Sequence, residues 1–345
     1  MIPVPLAFKG APGSPYTRKM VALMRYRQIP YRYLVGSAAD QAQLPKPTVE
    51  LLPTFYWPDA QGTLAAVTDS TPLIRRLEQE VPGRSALPSD PVLNFLDALL
   101  EDFADEWVTK AMFHYRWNFA QDIDKAGGIL PLHFMGVSAD DAALDAAKAH
   151  FSARQIGRLP VVGSNPQTAE MIEASYLRLV ELLDRHLRVQ PYLMGRRPGA
   201  SDFALYGQLS QLAHFDPTSM ALTLRHSRRV FAWVSLMEDL SGLEPEPSDW
   251  ANPQALVPTL LALLGELAQG YVPVMLMNAR MVARGEKTVS VALPGGHWQQ
   301  GVVPYQAKCL GWLRAQYASL HADERSTARN VLVAAGIVDL MEAAI

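Results

Sequence analysis

The sequence predicts an α/β unit followed by an all-α region, on three observations. Short strand candidates and a Pro/Asp/Gly hairpin signal alternate with helical patterns through the first 83 residues and return after them only as one small hairpin in the extension. From about Pro88 onward apolar residues recur at three- and four-residue spacing over long stretches. At roughly 100–200 residues per domain, 345 residues allow about two domains. We divide the chain into units at 1–83 and 88–250, with a mostly helical extension over 251–345 that packs on the second unit.

Pro5 to Lys9 is a strand candidate, followed by the Gly/Pro-rich turn GAPGSP. Tyr16 to Arg27 then sets Met20, Leu23 and Met24 on one side of a helix. After Pro30, YRYLV suits a second strand. A polar stretch from Asp40 to Pro47 leads to LLPTFYW and TLAAVT, which bracket the turn PDAQG as a hairpin. Asp69 or Ser70 can cap the next helix, Thr71 to Glu80, with Pro72 in its first turn.

In the second unit Val92 to Asn118 reads as one long helix, carrying Leu93, Leu96, Leu99, Leu100, Phe103, Trp107 and Phe113 at helical spacing. Asp140–Gly157, Thr168–Leu187, Ala200–Ala213 and Thr218–Leu240 continue as helices. In GASDFALYG, Ser201 is expected to cap its helix, and Asp202 to sit in the first turn where its charge favours the helix dipole. The extension reads as helices at Leu256–Leu267 and Pro273–Arg284, a hairpin of TVSVAL, PGG and HWQQG, a helix at Tyr305–Leu320, and short helices at Arg325–Leu332 and Val338–Met341.

Composition excludes several classes. Lys+Arg 31 against Asp+Glu 34, net −3, gives no electrostatic footprint for a polyanion, so no nucleic-acid partner is expected. One cysteine, Cys309, excludes an intramolecular disulfide, a CxxC pair and a cysteine-rich zinc site. The eight histidines show no HxH or HExxH spacing, and no metal is expected. GxSxG, GxxxxGK[ST] and GxGxxG are absent. The first residues lack a signal-peptide pattern, and no stretch of about 20 residues is uninterruptedly apolar. The expectation is a soluble cytoplasmic protein with no membrane partner.

The order of four pieces, GAPGSPYTRKM after the first strand, Leu52-Pro53-Thr54 before the hairpin, Asp69-Ser70 at a helix start and GASDFALYG in the helical region, resembles the cytosolic glutathione transferase superfamily over about residues 1–245. The resemblance implies a thioredoxin-like N-terminal domain, an all-helical glutathione-transferase-like domain after it, a homodimer, and glutathione as cosubstrate. It places Ser14 at the position that hydrogen-bonds the glutathione sulfur, with Tyr16 as a rival hydroxyl. A hydroxyl near a helix N-terminus stabilises a thiolate because the charge faces unpaired N–H donors. The resemblance makes Pro53 a cis proline and leaves the backbone of Leu52 or Thr54 to pair with the cysteinyl part of the tripeptide. It gives Asp69 and Ser70 the γ-glutamyl end, Asp69 facing the ammonium and Ser70 the carboxylate.

Substrate choice is expected on the first long helix, where His114, Tyr115 and Trp117 are candidate contacts for a small hydrophobic electrophile and Arg116 for an anion. Lys9 and Arg18 are weaker anion candidates. The competing reading of the same residues is packing, with Ser14, Asp69 and Ser70 as helix caps and the aromatic run as core. Two functions therefore follow: a glutathione-dependent transferase that activates the thiol for attack on an electrophile, or a noncatalytic glutathione-binding or interaction protein of the same fold.

Overall fold

The computed structural model describes residues 3–36, 44–59 and 61–345. Residues 40–43 of the polar stretch and Ala60 of the hairpin turn lie outside them. Strand β1 (Leu6–Lys9) is central in a four-stranded sheet of order β2-β1-β3-β4, with β2 Tyr31–Leu34, β3 Thr54–Pro58 and β4 Leu64–Val67. Its partner β2 is parallel, which requires a crossover, and helix α1 (Pro15–Tyr26) supplies it. The other two pairings are antiparallel. Phe8 lies opposite Tyr33 on one side and Phe55 on the other, with both ring centroids 4.8 Å away, so one aromatic row joins three strands. Met20, Leu23 and Met24 of α1 are fully buried, as their spacing predicts. Helix α2 (Ser70–Glu80) buries Leu73, Ile74 and Leu77.

The helical region begins with α3 (Pro91–Phe103), capped by Asp90. The single helix expected over Val92–Asn118 is interrupted: a π turn at Ala104–Val108 separates α3 from α4 (Thr109–Asn118). Such a turn inserts an i→i+5 register and re-aims the side chains around it. Two helices without an expected counterpart follow, α5 (Ala120–Ile129) and the single turn α6 (Leu132–Met135). Then come α7 (Asp141–Ile156), α8 (Ala169–Leu187), α9 (Ala200–Leu212), α10 (Pro217–His226) and α11 (Arg228–Met237). The last two replace the one helix expected over Thr218–Leu240. Ser227 takes an extended conformation, φ −153° and ψ 100°, and its hydroxyl accepts from Val230 N–H at 2.9 Å, ending one helix and capping the next.

Helix α9 fastens the two units together. A Cβ at Gly207 would sit 2.5 Å from the Pro15 carbonyl oxygen and 3.1 Å from Lys19 Cβ, so only glycine lets α9 approach α1 this closely. Its N-terminus departs from expectation in one detail. Gly199, not Ser201, is the cap: Asp202 accepts from Gly199 N–H and Leu193 N–H, both at 2.9 Å. Ser201 instead donates to Asp97 of α3 at 2.5 Å, and Asp97 also accepts the N–H groups of Ala200 and Ser201, both at 3.2 Å. Burial holds both carboxyl groups high, Asp97 at about 7 and Asp202 at about 8.

The extension contributes α12 (Pro258–Glu266), α13 (Tyr271–Ala283), the antiparallel pair β5 (Thr288–Leu293) and β6 (Gly296–Gly301), α14 (Pro304–Ser319), α15 (Ala322–Ala334) and the turn α16 (Asp339–Glu342). Helices α14 and α15 pack on α3. The hairpin covers the π turn: Trp298 is fully buried with its ring 5.1 Å from Trp107, and Lys110 lies beneath both, donating to Gln300 at 2.9 Å. Burial lowers the Lys110 pKa to about 8. No single helix among the described residues is long and apolar enough to cross a membrane. Pro258–Gln269 and Tyr271–Ala283 reach that length and composition only as a pair, bent by 43°. Their Leu260, Leu264, Leu267 and Tyr271 are fully buried in the core.

Candidate functional site

The GAPGSP turn leaves β1 and delivers Ser14 to the N-cap of α1. Ser14 has φ −94° and ψ 120°, and its Oγ accepts from Thr17 N–H at 3.2 Å. The same hydroxyl donates to the Leu52 carbonyl at 3.4 Å, across 38 residues of sequence. The Leu52–Pro53 bond is cis. Thr54, the first residue of β3, is buried and turns its hydroxyl back to Leu51 O at 2.7 Å. The corner therefore brings Ser14, Leu52, Pro53 and Thr54 together.

Asp69 and Ser70 open α2 beside it. Asp69 carries φ +84°, a backbone region that residues with a side chain rarely adopt and that surrounding structure must hold in place. Tyr305, at the start of α14, donates its hydroxyl to Asp69 Oδ2 at 2.6 Å. Ser70 is buried and accepts from Lys19 Nζ at 3.2 Å. Lys19 lies five residues after Ser14, about 7.5 Å along α1, so this helix spans the distance between the two serines.

Lys19 is 0% exposed and also donates to Glu101 at 2.8 Å and Asp105 at 2.6 Å. Arg75 of α2 takes the other Glu101 oxygen at 2.6 Å. Burial opposes every charge here, and the outcome follows the partners. Glu101, between Arg75 and Lys19, is held down at about 2 despite burial. Lys19 stays above the ordinary lysine value because its two carboxylates outweigh its burial. For Asp105, burial wins over the attraction of Lys19, and its pKa rises to about 6; Glu106, raised by burial and by Asp105, reaches about 7. Tyr16 turns toward this cluster rather than toward Ser14, donating to the Asp105 carbonyl at 2.9 Å, and burial with the nearby carboxylates pushes its phenol well up.

The structure places His114, Tyr115 and Trp117 elsewhere. All three are buried inside the helical region. His114 lies 2.8 Å from the Ser164 hydroxyl and 3.3 Å from Glu173, Tyr115 packs on Phe119 and Tyr176, and Trp117 forms a small cluster with Ala126 and Leu130. Arg116 does reach the N-terminal unit. It donates to Gly13 O at 2.9 Å while its fork holds Asp216 at 2.9 and 3.1 Å and Gln211 at 2.7 Å. Arg18 pairs with Glu238 at 3.2 Å. Cys309 is buried, and burial, with Asp102 and Glu106 nearby, pushes its thiol up. Among the described residues no three His, Cys, Asp or Glu side chains gather to hold a metal ion.

Sequence reasoning missed Lys19, Tyr305 and the carboxylates of α3 and the π turn. A signal for the carboxylates was present: Asp97, Glu101 and Asp105 recur every four residues, a charged stripe on a helix whose remaining face is apolar.

Residues 9–85 match the family model described as glutathione S-transferase, N-terminal domain. No curated protein matches the chain. Among solved structures, a glutathione transferase from Pseudomonas putida with one glutathione disulfide bound per subunit is 15% identical, covering 68% of this chain and 85% of that one at a TM-score of 0.37. A family member from Pseudomonas fluorescens pf-5 with two glutathione bound is 14% identical, covering 68% and 86% at 0.39. One from Burkholderia graminis with two glutathione molecules per subunit is 13% identical, covering 75% and 87% at 0.37. Similarity at that level carries no chemistry across. The sheet topology and the matched segment together make the N-terminal unit thioredoxin-like, and residues 9–85 of it similar to the glutathione S-transferase N-terminal domain.

Proposed function

We propose that the chain binds glutathione along the corner formed by Ser14, the Leu52–Thr54 backbone and Asp69–Ser70, and lowers the pKa of its thiol for attack on a small hydrophobic electrophile. The observation that carries this reading is the 3.4 Å approach of the Ser14 hydroxyl to the Leu52 carbonyl at the N-terminus of α1, with Asp69–Ser70 tied to the same helix through Lys19. An extended tripeptide spans about 10 Å, and α1 separates Ser14 from Lys19 by about 7.5 Å.

In this reading the thiolate lies at the α1 N-terminus and accepts the hydrogen bond that Ser14 Oγ otherwise donates to Leu52 O. That hydrogen bond is long and easily exchanged. Tyr16 is the weaker candidate, because its phenol is committed to the Asp105 carbonyl and is held protonated by burial. Ser14 orients and stabilises the thiolate, and the rate gain comes from thiolate formation and proximity. Asp69 faces the γ-glutamyl ammonium, and Ser70 its carboxylate.

Entry of the ammonium requires Tyr305 to leave Asp69. Tyr305→Phe removes that competing hydrogen bond to a carboxylate, worth about 1.5–3 kcal/mol, so glutathione is expected to bind tighter by about ten-fold or more in calorimetry. Weaker binding in this variant would assign Tyr305 to the ligand. A second reading, binding without turnover or an interaction role, is favoured by one feature: Asp69 and Ser70 each already have a protein partner, Tyr305 and Lys19. Binding with an unshifted thiol pKa would select binding without turnover, and absence of binding at millimolar glutathione in both wild type and Tyr305→Phe would select the interaction role.

A further inference from the structure

The net charge of −3 averages over an uneven surface. Three helix ends meet where Ser227 donates its hydroxyl to Asp184 at 2.7 Å: the end of α8, the end of α10 and the start of α11. Arg185 and Arg188 lie within four residues of that bond on one side, and Arg225, Arg228 and Arg229 on the other; all of them are exposed. No lysine is among them.

This positive charge is poorly compensated. Asp184 accepts from Arg188 at 2.6 Å and lies 3.9 Å from Arg229, so two guanidinium groups share one carboxylate. Burial raises the Asp184 pKa, but Ser227 and Arg188 outweigh it and hold the group below the usual carboxylate range. Glu181, one turn before Arg185, is 3.4 Å from His226. Arg185, Arg225 and Arg228 hold no ion pair among the described residues. A helix dipole favours cations at a C-terminus, which accounts for Arg185, Arg188 and Arg225. It opposes Arg228 and Arg229, the first two residues of α11, whose first turn holds no acidic residue. Val189 and Leu224, 57% and 42% exposed, flank the group. The fold thus keeps a like-charged cluster that weakens it locally, beside apolar side chains left open to solvent.

We propose that this surface docks an acidic protein segment that carries apolar residues, its carboxylates on Arg225, Arg228 and Arg229 and its apolar side chains on Val189 and Leu224. A guanidinium takes both oxygens of a carboxylate at once, which an ammonium does not. The exposed apolar pair favours a protein over a nucleic acid, whose phosphates would engage the arginines alone. The surface is independent of the glutathione reading, since it shares no residue with the Ser14 corner.

The test follows fluorescence anisotropy of a short labelled peptide of interspersed glutamate and leucine on the full chain, with oligoglutamate and single-stranded DNA of equal charge as competitors. Saturable binding of one peptide per chain is expected at about 10–100 µM in about 50 mM salt, weakening about ten-fold at about 300 mM salt. Oligoglutamate should bind about three- to five-fold more weakly than the peptide. Arg225→Glu combined with Arg228→Glu should weaken the peptide by about ten-fold or more. Neither arginine holds an ion pair, and glutamate suits the start of α11, so the circular dichroism spectrum should not change. Leu224→Ser should remove the preference over oligoglutamate. Absence of saturation at about 1 mM peptide, binding that the charge reversal leaves unchanged, or a preference that survives Leu224→Ser would overturn the proposal. DNA binding as tight as the peptide would also overturn it, by assigning the surface to nucleic acid.

Discussion

Lys19→Met is expected to destabilise the fold by about 3–5 kcal/mol at pH 8, measured by urea unfolding. Lys19 is fully buried, and among the described residues its ammonium is the one donor to the Asp105 side chain. Removing it strands a carboxylate that burial already holds at about 6. Glu101 retains Arg75 and is less affected. The sign with pH follows from the direction of the Asp105 shift. Its folded-state pKa exceeds the unfolded value, so the folded state binds the proton more tightly and stability rises as pH falls through the folded pKa. Without Lys19 that pKa moves higher still, and the variant gains stability earlier on acidification than wild type does. The deficit should therefore shrink by about 1–2 kcal/mol between pH 8 and pH 6. Adding Asp105→Asn to Lys19→Met should recover more than half of the loss, because the stranded charge is gone. A deficit independent of pH, with no recovery in the double variant, would mean that Lys19 contributes packing alone.

Arg116→Leu is expected to cost a similar amount, about 3–5 kcal/mol. Asp216 is fully buried and receives both arms of the Arg116 fork, while a third donor reaches the Gly13 carbonyl in the turn that presents Ser14. Arg116→Lys keeps the charge but cannot hold two oxygens and a carbonyl in one plane, so it should recover only part of the stability. Glutathione affinity should fall in both variants, more than it does in a surface variant matched for stability, because the Ser14 turn loses its tie to α4. Equal affinity in Arg116→Lys and wild type would detach the clamp from the site.

The separate pieces around Ser14 were legible in the chain because each has a local cause, while their meeting in one corner and the cis bond at Pro53 were implied by the family resemblance alone. A serine followed by proline caps a helix, a proline ahead of a strand marks a backbone corner, and an Asp-Ser-Thr-Pro run starts a helix. The strand–helix–strand alternation was legible for the same reason. Lys19, Arg116 and Tyr305 were not, because a buried charge or hydroxyl is defined by a partner that lies tens to hundreds of residues away. Tyr305 meets Asp69 across 236 positions, and nothing in the spacing of either segment announces it. The helix read over Thr218–Leu240 has continuous apolar periodicity, but Ser227 breaks it by trading helical backbone for a cap and a bond to Asp184 at 2.7 Å. In the Phe113–Trp117 run, spacing alone left both faces of the helix open; the structure sends Arg116 to the Ser14 turn and His114, Tyr115 and Trp117 into the helical interior.

The thiol itself provides the most direct test of the proposed function. Wild type and Ser14→Ala would be saturated with glutathione, and the ultraviolet absorbance of the thiolate followed across pH. The account predicts that bound glutathione in wild type titrates about 1–2 pH units below the free thiol, and that Ser14→Ala restores the free value while glutathione still binds. An unshifted thiol in wild type, or a lowered one that Ser14→Ala leaves untouched, would contradict it.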